Sequence, residues 1–466
     1  MSLESSSRRS VLRAGVIGGS SAALLGAGRV AATAQAAAPP SAVATSQPLQ
    51  SLFTLSDLDF NTLFAFGGIG YGAAEFGELV TAVNAVNAVN AAGASYQTYF
   101  DTFVALAKSV DAQAGQELAA GHIVSARGAY LRAASYYDLC LYFILGTSRR
   151  ADEAGAYAAM QRCWHLASQL FDPAFEPVRI PYEGTWMPGY LLRPDHRAGR
   201  RPTVILNNGE DAQNVRMWAN GAAAALERGY NVLIYEGPGQ GSMLFERRIP
   251  FRYDWENVVK PVVDYLRSRP EVDPERIVLS GSSLGGELVI RAAAFEHRLA
   301  AVVADPGFLS LWLSWGMLEP KITGLFEQGL SKPEINAIWQ KEGIPALSET
   351  QRFEIAKAAE GYGPQFLDPA RAGKVFTDMY DLGMTLMRFT VADCVHQVTS
   401  PTLVTVYADD ELVVPPDKQG AEVYELLRCD KRLHHFTVAE GAQMHCAPMA
   451  PRLRNQAVYD WLDGVI

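Results

Sequence analysis

The chain runs to 466 residues with a formal net charge of −10, 49% hydrophobic and 19% charged residues. That balance fills a large globular core, and the length predicts one large domain plus a second helical unit. Clustered Lys and Arg are missing from the mature region, which excludes a phosphate-binding surface for nucleic acid and leaves a small neutral or organic molecule as the expected partner.

Residues 1–36 read as an export signal. Ser7-Arg8-Arg9-Ser10-Val11-Leu12-Arg13 resembles a twin-arginine signal, Ala14 to Gly28 is mildly apolar, and Ala34-Gln35-Ala36 offers a peptidase site. The apolar run is shorter than the roughly 20 residues that span a bilayer, so no stable membrane insertion is expected after signal removal. A periplasmic or extracellular location follows; a homodimer stays open. Residues 37–50 form a flexible leader. Five cysteines at irregular spacing, none as CxxC, predict free buried thiols without a metal or disulfide framework.

From Leu52 to Leu170, apolar residues recur at three- and four-residue spacing, which predicts a helical cap domain over 51–172. Val83 to Asn90 repeats with period three and is read as helix. Ala126 to Leu145, carrying Tyr130, Tyr136, Tyr137 and Phe143, is a long aromatic helix. Its stripe packs a helical core or, at Tyr137, lends a wall to a substrate pocket.

After Pro173 the pattern changes to a catalytic domain over 173–466. Phe175 to Tyr182 and Met187 to Leu192 read as a hairpin turning at Glu183-Gly184. Strands at Thr203–Leu206, Asn231–Tyr235, Arg276–Leu279 and Ala300–Ala304 then alternate with helices at Met217–Arg228, Trp255–Arg269 and Gly286–Glu296, which implies a mostly parallel sheet of the α/β class. A helical lid insertion interrupts it at about 307–395. The series resumes with strand Thr402–Tyr407, helix Lys418–Leu427, strand Leu433–Val438 and a final helix, Arg452–Leu462.

Gly281-Ser282-Ser283-Leu284-Gly285-Gly286 sits between an apolar strand and an amphipathic helix. A serine hydroxyl attacks a carbonyl only when a sharp turn exposes it to a base and to free backbone N–H groups, so Ser283 is the candidate nucleophile. The acid and base must then come from loops at the same sheet edge, in chain order. Asp410 follows Thr402–Tyr407, with Asp409 and Glu411 close enough for the assignment to slip by one. His445 lies beyond the last strand, whereas His434 and His435 fall within it and His396 precedes the acid. The oxyanion donors are expected from the N–H of Leu284 and from Gly209 or Glu210 in Asn207-Asn208-Gly209-Glu210-Asp211. Asp211 faces substrate or caps the next helix. Gly237-Pro238-Gly239-Gln240-Gly241 lacks the lysine of a phosphate loop and reads as a structural turn beside the site.

These features together resemble the α/β-hydrolase superfamily. Asn208-Gly209-Glu210, Glu236 to Gly241 and Gly281 to Gly286, behind a helical segment ending in Tyr136-Tyr137, are similar to one branch. It holds 2,6-dihydroxypseudooxynicotine hydrolase and the fungal hydrolases that shorten polyketide pigments. The resemblance implies a Ser283–Asp410–His445 triad under a helical cap and hydrolysis of an ester, a lactone or a carbon–carbon bond beside a ketone, with neither cofactor nor metal. Acyl transfer or cyclisation on the same triad and a non-catalytic binding protein on the same scaffold are the alternatives.

Overall fold

A computed structural model describes residues 51–89, 93–318 and 320–466; the export signal and leader expected over 1–50 lie outside the described residues. Among these, eight strands form one sheet in the order β1-β2-β4-β3-β5-β6-β7-β8. The strands are β1 (Glu176–Tyr182), β2 (Thr185–Leu192), β3 (Arg201–Asn207), β4 (Asn231–Tyr235), β5 (Val272–Ser282), β6 (Ala301–Asp305), β7 (Thr402–Tyr407) and β8 (Lys431–Phe436). β1 and β2 pair antiparallel, β2 joins β4 antiparallel, and every later pairing is parallel.

Composition explains these positions. β1 alternates exposed and buried residues as a half-solvated edge does, while β4, β6 and β7 are buried along their whole length. Such continuous apolar runs suit parallel strands covered on both faces. Glu183 and Gly184 turn the hairpin with φ of 38° and 78°, the left-handed pair that a two-residue turn between twisted strands needs.

The sheet divides two hydrophobic cores, and the period-two alternation of each strand feeds both. Val204, Leu206, Val232 and Ile234 pack with the N-terminal helices Asp57–Gly68, Phe76–Ala88, Tyr96–Ala119, Ile123–Phe143 and Glu153–Gln169 and with the closing helix Pro451–Val465. Ile205, Leu233 and Leu279 face helices Glu256–Arg267 and Gly285–Ala293 and much of the insertion between β6 and β7. That insertion is helical, from Leu311 to Leu386. It also reaches the first core through Phe353, Ala356, Leu367 and Ala370.

Two expected elements differ in detail. The helix expected from Met217 begins at Asn214 and is broken at 218–222, where Gly221 adopts φ 150°. A Cβ there would stand 3.2 Å from Leu206 Cδ2 and from Tyr459 Oη, so close packing on β3 and the C-terminal helix imposes the break. β5 is longer than expected, because Val272 pairs with Arg201 ahead of a register shift.

Candidate active site

β5 ends at Ser282, and Ser283 turns the chain into helix Gly285–Ala293 with φ 63°. A non-glycine residue in the left-handed region is strained and persists only where its surroundings hold it. Here the Ser283 N–H donates to Asp305 O at 2.8 Å, and the Gly286 N–H donates to Ser283 O at 2.8 Å. The glycines on either side are obligatory. A Cβ on Gly281 would lie 2.0 Å from Gly285 O, and one on Gly286 2.0 Å from Pro306 O.

The three residues expected to act together meet at the C-terminal edge of the sheet. His445 Nε2 is 2.9 Å from Ser283 Oγ, and His445 Nδ1 is 3.0 Å from both carboxylate oxygens of Asp410. Asp410 and His445 are each 2% exposed, whereas Ser283 is half-buried. Asp410 Oδ1 also accepts the N–H groups of Leu412 at 2.9 Å and Val413 at 2.8 Å, which fixes the carboxylate toward the imidazole. The Asp409 N–H donates to Gln443 O at 2.9 Å and so ties the acid loop to the histidine loop. Of the flanking acids, Asp409 is exposed, and Glu411 is a buried carboxyl pushed up to about 7, first by burial and then by the Asp410 charge. Burial disfavours the His445 imidazolium, but the Asp410 carboxylate outweighs it and holds the ring well above the ordinary histidine value.

The loop after β3 crosses directly over this elbow. A Cβ on Gly209 would lie 2.7 Å from Ser283 Cβ and 3.0 Å from the Leu284 N, so only glycine allows the approach. Leu284 caps the elbow helix, where N–H groups lack helical acceptors. The Gly209 N–H is already donated to Asn208 Oδ1 at 2.8 Å.

Several partners were not visible in the linear pattern. Gln240, in the Gly-Pro-Gly-Gln-Gly turn, donates through Nε2 to Asn208 O at 2.7 Å and Gly209 O at 3.0 Å, and its Oε1 accepts the Gly237 N–H at 2.9 Å. The turn therefore carries the loop expected to hold the oxyanion donors. Its neighbour Glu236, wholly buried, accepts from Tyr157 Oη at 2.7 Å, Asn214 Nδ2 at 3.0 Å and Ser242 Oγ at 2.7 Å. Asp305, at the end of β6, accepts from Arg454 Nε at 2.7 Å and Thr405 Oγ1 at 2.5 Å and also bonds Tyr407. From the N-terminal helices, the Phe60 ring stands 6.3 Å from the His445 ring.

The two residues expected beside a pocket have these surroundings. Tyr137 is buried in the helical core, with Asp111, Arg162 and Cys163 as its ionisable neighbours; its helix turns it into the bundle. Asp211 is not the cap of Asn214–Met217, which is Gln213, but lies 3.5 Å from Lys357 Nζ of the insertion between β6 and β7. All five cysteines are free; four are buried and Cys429 is partly so. Among the described residues, no cluster of His, Cys, Asp and Glu could hold a metal ion.

Residues 208–453 match the alpha/beta hydrolase family; the chain belongs to that family and is a hydrolase enzyme. Alpha/beta hydrolase psoB of Aspergillus fumigatus is 31% identical over 322 residues, 66% of this chain and 69% of that protein. 20-Hydroxy-prefusarin hydrolase FUS2 of Gibberella moniliformis is 27% identical over 430 residues, 89% of this chain and 98% of that protein. Among solved structures, 2,6-dihydroxy-pseudo-oxynicotine hydrolase aligns with a TM-score of 0.61 at 22% identity, covering 86% of this chain and 95% of that one, a likeness of fold.

Proposed function

We propose that the protein is an exported serine hydrolase that cleaves an ester, a lactone or a carbon–carbon bond beside a ketone in a small organic substrate. The contacts of His445 with Ser283 at 2.9 Å and with Asp410 at 3.0 Å carry the reading. Ser283 attacks the carbonyl, His445 takes the hydroxyl proton and returns it to the leaving group, and Asp410 holds the imidazole and stabilises its charged form. The N–H groups of Leu284 and Glu210 receive the developing oxyanion, since that of Gly209 is engaged by Asn208. Hydrolysis in ¹⁸O-water would place one heavy oxygen in the acid product, and Ser283→Ala would abolish turnover while the protein stays folded. A product without solvent oxygen would mean acyl transfer or ring closure instead.

The substrate's expected character, small and uncharged or organic, rests on the acidic chain. Export rests on Arg8-Arg9 and the short apolar run after them. Replacing both arginines with lysine should trap the protein in the cytoplasm; unchanged export would reject the twin-arginine route.

A further inference from the structure

Beside the Asn207–Asp211 loop, two buried side chains each leave one polar atom without a well-formed hydrogen bond. Glu287 stands in the first turn of the elbow helix, four residues beyond Ser283, and is 2% exposed; Tyr362, in the turn Glu360–Tyr362, is 4% exposed. The atoms are Glu287 Oε2 and Tyr362 Oη. A buried polar atom left unsatisfied is destabilising, so two such atoms on neighbouring side chains call for an explanation.

Their surroundings bring them together. The Tyr362 ring packs on Phe389 at 5.3 Å and on Phe251 at 5.8 Å. Phe389 O accepts the Leu311 N–H at 3.1 Å, and the same Leu311 backbone faces the Glu287 carboxyl. Phe251 closes over Gly239, where a Cβ would lie 2.2 Å from its ring, next to the Gln240 that carries the Asn207–Asp211 loop. On the loop itself, Glu210 is the foremost acidic neighbour of the Tyr362 hydroxyl. Burial pushes the Glu287 carboxyl well above the usual carboxylate range, despite the Leu311 N–H and the Arg291 charge. The group is thereby biased toward its neutral, hydrogen-donating form.

We propose that Glu287 and Tyr362 form a specificity subsite, resting on the serine hydrolase reading, that takes an uncharged hydroxyl group of the substrate. A hydroxyl both donates and accepts, so one group can satisfy both side chains between the apolar walls of Phe251 and Phe389. An anion would meet Glu210 and Asp211. A cation finds no demand there, because Lys357 already lies 3.5 Å from Asp211 and pairs with Glu360.

The test measures how 4-phenylbutan-2-one and its 3- and 4-hydroxyphenyl analogues protect Ser283 from a fluorophosphonate probe in the full chain. In the wild type, at least one hydroxylated ketone should protect at a tenfold lower concentration than the parent. Tyr362→Phe and Glu287→Leu should cut that advantage below threefold without changing protection by the parent, while Glu287→Gln, which keeps a donor and an acceptor, should retain it. Equal protection by all three ketones in the wild type, or an advantage that survives both substitutions, would overturn the subsite and leave the hydrolase reading intact. Failure of the probe to label wild-type Ser283 would overturn that reading itself.

Discussion

Asp410 does two jobs through one pair of oxygens. Its carboxylate accepts two backbone N–H groups on one side and faces His445 Nδ1 on the other, so the acid is fixed before the imidazole is. The ring's value, held well above the ordinary one by that charge, sets the sign of the pH dependence. In the proposed mechanism His445 acts as a base only when its imidazole is neutral, so kcat/KM should rise with pH through a midpoint above the usual histidine value. Asp410→Asn removes the charge that favours imidazolium and should move this midpoint down while lowering kcat about 10³- to 10⁴-fold. A pH–rate profile of the variant checks both; an unmoved midpoint would assign the acid limb to another group.

At the scale of elements, the site depends on one loop riding over one elbow. Gly209 faces Ser282 O at a distance where a Cβ would sit 2.6 Å away, and backbone cannot yield as a side-chain tip can. Gly209→Ala should therefore displace the oxyanion donors and lower kcat about 100-fold, the usual cost of losing one such donor. KM should change far less. Steady-state kinetics beside thermal melting separate this from unfolding, and a fully active variant would show that the loop has room to spare.

Over the whole molecule, what could be read beforehand followed a physical rule. Parallel strands buried on both faces leave continuous apolar runs, so β3, β4, β6 and β7 were legible, as was the helical insertion between β6 and β7. Chain order around a parallel sheet made Asp410 and His445 legible, because loops at one edge must converge. Contacts between residues distant in sequence leave no local trace. Gln240 looks like one more turn residue until it reaches Asn208 and Gly209, and Asp305 like a strand end until Arg454 meets it 149 positions later. Tyr137 stayed open between core and pocket wall for the same reason: its aromatic stripe has two faces, and helical spacing alone does not tell core from cavity; the structure buries it in the helical core.

The account stands on Ser283 being activated by His445. Site-resolved mass spectrometry of the fluorophosphonate-treated protein tests that most directly. Labelling of the wild type at Ser283, its loss in Ser283→Ala and its near-complete suppression in a folded His445→Ala variant are predicted; an unlabelled Ser283, or one labelled equally well without the imidazole, would contradict it.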